Sequence, residues 1–179
     1  DVLTLDYQAD GNGTATVTVT ATSNGLDVND TFAVTVTSVN DAPVVANALG
    51  AVVAIEDDPD TTIDLSNVFN DIDDANASIT KAAVSSDTAL VTVSVSGDVL
   101  TLDYQADGNG TATVTVTATS NGQDVNDTFA VTVTGVNDAP VVANTLGDVT
   151  VSEDAGDSTI DLSNVFNDVD DANSSITKS

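Results

Sequence analysis

TATVTVTATS, residues Thr111–Ser120, alternates threonine with valine or alanine along its length. Successive side chains on a strand point to opposite faces. This spacing therefore predicts a strand with a small apolar face backed by a hydroxyl face. TFAVTVT (Thr128–Thr134) repeats the pattern, and the β-branched residues dominating both runs suit a pleated backbone. Asn121-Gly122 and Asp107-Gly108-Asn109-Gly110 flank these runs with residue types that accept positive φ and turn the chain. No stretch sustains a helical period. Ser66-Asn67-Val68-Phe69 is expected to form one short turn with Ser66 as its cap.

The strand occurs twice. Residues 1–82 match residues 98–179 at an offset of 97, with 69 of 82 positions identical, and DVLTLDYQADGNGTATVTVTATSNG recurs unchanged. Self-similarity at a fixed period marks an array of structural units. One complete unit is expected from about Val44 to Pro140. Its strands are predicted at Val44–Ala46 with Ala51–Ile55 (a split first strand), Thr61–Leu65, Ser78–Val84, Ala89–Val95, Val99–Tyr104, Thr111–Thr119 and Thr128–Thr134. Seven short strands in a 97-residue unit predict an all-β, immunoglobulin-like Greek-key sandwich, repeated in tandem. Residues 1–43 then close a preceding unit, 44–140 form a complete one, and 141–179 open the next. Partial sandwiches expose unpaired edges and half a core, so neighbouring subunits or further sequence are expected to complete them. The chain begins at Asp1 in place of Met, which reads as an excised or processed segment.

Charge narrows the function. The chain holds 27 Asp, two Glu and two Lys, with neither Arg nor His, for a formal net charge of −27. It offers phosphate no cationic patch, so no nucleic-acid partner is expected. An apolar fraction of 41%, strongly patterned, argues against disorder despite the acidity. Cysteine is absent, which excludes a disulfide framework, a thiol nucleophile and a thiolate metal site. No apolar run is long enough to span a bilayer and no signal peptide is visible, so membrane insertion is not expected. Catalysis is poorly supported as well. Paired carboxylates can hydrolyse glycosides, but they need a shaped cleft, and six aromatic residues supply little material for one.

The acidic residues recur at fixed places in the repeat. VNDAPV occupies Val39–Val44 and Val136–Val141, and FNDIDDAN or FNDVDDAN occupies Phe69–Asn76 and Phe166–Asn173. The only two glutamates, Glu56 and Glu153, are each followed by Asp. Ca²⁺ takes six to eight oxygen ligands from carboxylates, Asn side chains and carbonyls. Close-packed like charges are costly unless a cation binds or a carboxylate protonates. A single Asp-x-Asp is better read as loop filling; three acidic clusters at one junction point to Ca²⁺.

These residues resemble the cadherin-like repeats of large bacterial surface proteins and adhesins. VNDAPV is similar to the cadherin inter-domain linker, Asp71-x-Asp73 to its Asp-x-Asp element, Glu56 to the first-strand glutamate, and LDYQ (Leu102–Gln105) to Leu-Asp-Arg-Glu. The resemblance implies one Ca²⁺ cluster joining Glu56, Asp103, Asn137 and Asp138 to Asp168 and Asp170. It implies a second joining Asp6, Asn40 and Asp41 to Asp71 and Asp73. Gln105 lacks a charge, and Ser120-Asn121 stands where a late Asp is usual, so one or two ions per junction are expected. The implied role is an extracellular extender or filament module of an adhesin or surface fibre, with Ca²⁺ stiffening the junctions and adjacent repeats as partners. Two alternatives stay open: a Ca²⁺-dependent module binding polysaccharide or a cell surface, and a fibre subunit sharing strands between chains.

Other signals carry bland readings. Asp-Gly-Asn-Gly (Asp10–Gly13, Asp107–Gly110) lacks the ligand spacing of an EF-hand and suits a hairpin turn. Asn12, Asn29 and Asn76 match the glycosylation acceptor pattern, as chance matches do in an Asn/Thr-rich chain. Lys81 and Lys178, the only cations, suit a solvated position or a local ion pair better than an isopeptide link to Asn.

Overall fold

The computed structural model describes residues 1–179. In chain order the strands are β1 (Gly13–Ser23), β2 (Leu26–Val36), β3 (Val44–Val45), β4 (Val52–Ile55), β5 (Thr61–Asp64), β6 (Phe69–Asn70) and β7 (Thr80–Ser85). They continue with β8 (Val91–Ser96), β9 (Val99–Tyr104), β10 (Gly110–Ser120), β11 (Gln123–Thr134), β12 (Val141–Val142) and β13 (Phe166–Asn167). One 3₁₀ turn, Asn76–Ser78, is the only helical element. No helix is long and apolar enough to cross a membrane.

A four-stranded sheet ordered β4-β11-β10-β7 faces a three-stranded sheet ordered β5-β9-β8, with the short pair β3-β6 at one side. β4 runs parallel to β11, and the other pairings in the two sheets are antiparallel. The alternation in β10 does what its spacing predicts. Ala112, Val114, Val116 and Ala118 are buried, while the threonines between them stay exposed or half-exposed. They meet Leu100 and Leu102 of β9 and Val91 of β8 in a core of 17 buried residues, all between Ala54 and Val133.

Identical sequence takes two fates in this chain. β1 repeats β10 residue for residue, yet Val19 is 45% exposed where Val116 is 0% exposed. Val2–Tyr7 repeats Val99–Tyr104, yet only the latter is a strand. β9 is a strand because β5 and β8 pair with it on both sides. The β1–β2 hairpin stands as a two-stranded sheet with no such partners. Strand formation here belongs to context more than to propensity.

The expected split first strand is present as β3 and β4. Several details differ from the sequence reading, among them that Phe69–Asn70 pairs with β3 as β6 and that β8 begins at Val91, two residues after the predicted Ala89. The last strand begins at Gln123, five residues before the predicted Thr128. The two-residue turn Asn121-Gly122, both at positive φ, sets Ser120 opposite Gln123. That register draws the polar Asp124–Asp127 stretch into the ladder, where Thr119 Oγ1 donates to Asp124 Oδ1 at 2.6 Å. β7 starts at Thr80 because the 3₁₀ turn takes up Asn76–Ser78. The turn at Ser66–Val68 forms, but its cap is Asp64, whose Oδ1 accepts the Ser66 amide at 2.8 Å.

Candidate metal centre

Glu56 follows β4 directly, and its amide donates to the Thr134 carbonyl at 3.0 Å, extending the β4–β11 pairing by one bond. This sets the side chain beside the exit of β11, where it is 2% exposed. Its Oε1 accepts the Val136 amide at 2.8 Å, while Oε2 is buried without a partner. Two residues further on, the Asn137 side-chain amide donates to the Asp138 carbonyl at 2.8 Å, fixing the linker before Pro140. The Asp138 amide then donates to Asp170 Oδ2 at 2.7 Å. Asp170 is itself oriented by Asp168, whose Oδ1 accepts the amides of Asp170 and Asp171, each at 3.0 Å.

Glu56, Asp138 and Asp170 thus come from three separate segments and bring carboxylate oxygens within 4.8 Å of one another. No other group of acidic residues converges in this way. Asp138 Oδ2, like Glu56 Oε2, is buried without a hydrogen-bond donor. Two orphaned anionic oxygens cost free energy unless something positive meets them. A hard, oxygen-seeking cation fits that donor set, and nothing in it suits a soft one.

The Asp138 carboxyl is held above its ordinary pKa, first by desolvation and then by the charges of Asp107, Asp170, Asp57 and Glu56. A carboxyl whose pKa is raised in the folded state adds stability below its unfolded pKa, and that stability is lost as pH rises through the raised value. Asp64 and Asp161 go the other way. Amide and hydroxyl donors of Ser66 and Ser163 hold them below the ordinary value, so their contribution is present above it and lost on acidification. In chelator, Asp138→Asn is therefore expected to raise the melting temperature at neutral pH, with the gain shrinking as pH falls toward the ordinary carboxylate range. A gain independent of pH would contradict this account.

The upstream junction repeats the geometry. The Asp41 amide donates to Asp73 Oδ2 at 2.7 Å, and Asp71 Oδ1 accepts the amides of Asp73 at 2.8 Å and Asp74 at 3.2 Å. Asp71 is 6% exposed and its Oδ2 is buried without a partner. Asn40 donates to the Asp41 carbonyl at 2.8 Å.

Not every expected residue joins its cluster. Asp103 is exposed on β9, and its Oδ2 accepts Thr92 Oγ1 at 3.1 Å, so it is engaged across the sheet. Asp6 is exposed and makes no side-chain hydrogen bond to the linker. Asn137 and Asp168 shape the backbone around the three converging carboxylates without belonging to that group. Asp57 and Asp107, which the sequence reading did not place here, bear on Asp138 through their charges. Both sit at positive φ, in turns beside the junction. The signal available for them was the Asp after Glu56 and the Asp-Gly turn, each of which also has an ordinary loop reading. Asp10, the upstream counterpart of Asp107, lines one cleft with Asp41 and Asp73.

The lysines are withdrawn from this chemistry. Lys81 Nζ lies 2.6 Å from Asp98 Oδ1 with its side chain 2% exposed, and it also donates to the Ile79 carbonyl at 3.3 Å. This is the local ion pair. Lys178 donates to the carbonyls of Asn173 and Ile176 at 3.1 and 3.3 Å.

No protein-family model matches the chain, and no curated protein matches it. Solved structures do. Extracellular cadherin domains 1–4 of protocadherin gamma B7 align with a TM-score of 0.52 at 21% identity, over 84% of this chain and 39% of that one. Extracellular cadherin domains 1–5 of protocadherin gamma B2 align at 0.50 and 23% identity, over 70% of this chain and 27% of that one. The chain thus spans well under half the length of either. These likenesses show the fold, an all-β cadherin-like sandwich. An endo-fucoidan hydrolase of glycoside hydrolase family 107 reaches a TM-score of only 0.39 at 17% identity, a level that carries no argument about activity.

Proposed function

We propose that the chain is an extender module of an extracellular adhesin or surface fibre of the bacterial cadherin-like kind, and that Ca²⁺ held at the junction between repeats keeps successive sandwiches in line. The observation that carries this reading is the convergence of Glu56, Asp138 and Asp170, with two buried oxygens lacking donors, at the boundary of the 97-residue repeat. Glu56 belongs to the strand end of one unit, Asp138 to the linker, and Asp170 to the loop of the next. A ligand set drawn from all three ties the orientation of one unit to its neighbour. Bound Ca²⁺ supplies positive charge that offsets the mutual repulsion of these carboxylates. Asp168 and Asn137 hold the loop and the linker in the shape that presents them. The extracellular setting is proposed from the likeness to extracellular cadherin domains.

Calorimetry and small-angle scattering on the chain test the reading together. Ca²⁺ should bind with measurable heat, and chelation should broaden the distribution of inter-unit angles and shorten the mean extension. Absence of binding, or scattering unchanged by chelator, would remove the rigidifying role.

A further inference from the structure

The β10–β11 turn places uncharged donors at the upstream junction. Ser120 ends β10 at 3% exposure, and its Oγ donates to Asp74 Oδ2 at 2.7 Å. Asn121 follows in the left-handed region, at φ 45°. Its Nδ2 donates to the same Asp74 oxygen at 2.6 Å and to Asn40 Oδ1 at 2.7 Å. Gln123 Nε2 donates to the Asn40 carbonyl at 3.2 Å. Asn40 in turn donates to the Asp41 carbonyl at 2.8 Å, and the Asp41 amide is held by Asp73 Oδ2 at 2.7 Å. A continuous run of bonds therefore joins the end of β10, the Asp73-Asp74 loop and the linker. Every donor in it is a neutral hydroxyl, carboxamide or backbone amide.

We infer that this network is a cation-independent latch that holds the Asn40–Asp41 linker against the β10–β11 turn of the unit that follows it. It goes beyond the Ca²⁺ reading, because Asp74 Oδ2 is already occupied by two donors and needs no metal for compensation. The turn itself explains Asn121 and Gly122, which supply the positive φ of a tight hairpin. It does not explain why Ser120 adds a donor to the Asp74 oxygen that Asn121 also reaches, or why Gln123 adds one to the Asn40 carbonyl. The repeats also differ here: Gln123 corresponds to Leu26, which is 78% exposed. A preceding unit thus lacks one donor of the latch, and the junctions of the array are fastened unequally. The chain thus shows two kinds of fastening, converging carboxylates at the Asp138 linker and a neutral network at the Asn40 linker.

Amide hydrogen exchange at Asp41 in the whole chain separates them. Asn121→Gly keeps a residue that adopts the left-handed turn freely and deletes the bridging carboxamide. In chelator, the Asp41 amide should exchange about ten-fold faster in Asn121→Gly than in wild type, given two lost hydrogen bonds, with Gln123→Leu in between. The amide of Leu102 in β9 should not change, showing that the sandwich is intact. Equal Asp41 exchange in wild type and Asn121→Gly in chelator would overturn the latch. If Asn121→Gly accelerates exchange at Asp41 while added Ca²⁺ leaves the Asp138 amide, bonded to Asp170 at the converging carboxylates, unchanged in wild type, the latch stands and the metal reading falls.

Discussion

Phe129→Ala is expected to cost about 3–5 kcal/mol of folding stability, while Phe32→Ala costs under about 1 kcal/mol. The two residues occupy the same string, DVNDTFAVTVT, at Asp27–Thr37 and Asp124–Thr134. Phe129 is 5% exposed and belongs to the core; Phe32 is 42% exposed. Their cross-strand partners are equivalent too, Val114 opposite Phe129 and Val17 opposite Phe32. The local contribution of each ring to its hairpin is therefore held constant. What differs is the opposing sheet, since removing Phe129 leaves a cavity between two sheets and removing Phe32 leaves none. Chemical denaturation of the two variants measures the difference, and equal losses would contradict the packing described above.

Glu56→Gln should weaken Ca²⁺ binding on the order of 10- to 100-fold. Glutamine keeps an oxygen able to accept the Val136 amide, now bonded to Glu56 Oε1 at 2.8 Å, so the local backbone is preserved. It removes one of three converging negative charges. In chelator that same change relieves repulsion, so the variant should be as stable as wild type or more so. A residue that is beneficial with the cation and costly without it is recognised by this crossing of signs. Glu153→Gln is the matched control, because Glu153 is exposed and lies outside the converging group. Unchanged Ca²⁺ affinity in Glu56→Gln would remove Glu56 from the centre.

Much of the sandwich could be read from side-chain alternation. In β10 a period of two and a run of β-branched residues both pointed to a half-buried strand, and the turn residues marked its ends. What could not be read is which copy of an identical segment becomes a strand. Val2–Tyr7 and Val99–Tyr104 carry the same information and differ only in whether β5 and β8 lie alongside. The start of β11 was missed for a related reason. Asp124–Asp127 has loop-like composition, and only the register imposed by Asn121-Gly122 pairs it. At the junction, motif spacing found Glu56, Asp138 and Asp170, because linker and strand-end positions are fixed along the chain. It also named Asp103, which accepts Thr92 across the sheet and lies outside the converging group, and did not name Asp57 and Asp107, whose charges bear on Asp138. Sequence spacing specifies where a residue sits on its own element; which carboxylates share a field is decided by the turns that bring elements together.

The parallel pairing of β4 with β11 has a mechanical consequence. Val52–Ile55 lies beside Val131–Thr134, and the Glu56 amide adds one more bond to Thr134. Tension along the chain pulls β4 toward its own start and β11 toward its own end. In a parallel pair those directions are opposite, so the load slides the strands past each other and strains all their hydrogen bonds together. A hairpin pulled from its open end gives way one bond at a time. β4 and β11 are thus joined in the geometry of a shear clamp, with Glu56 at its end.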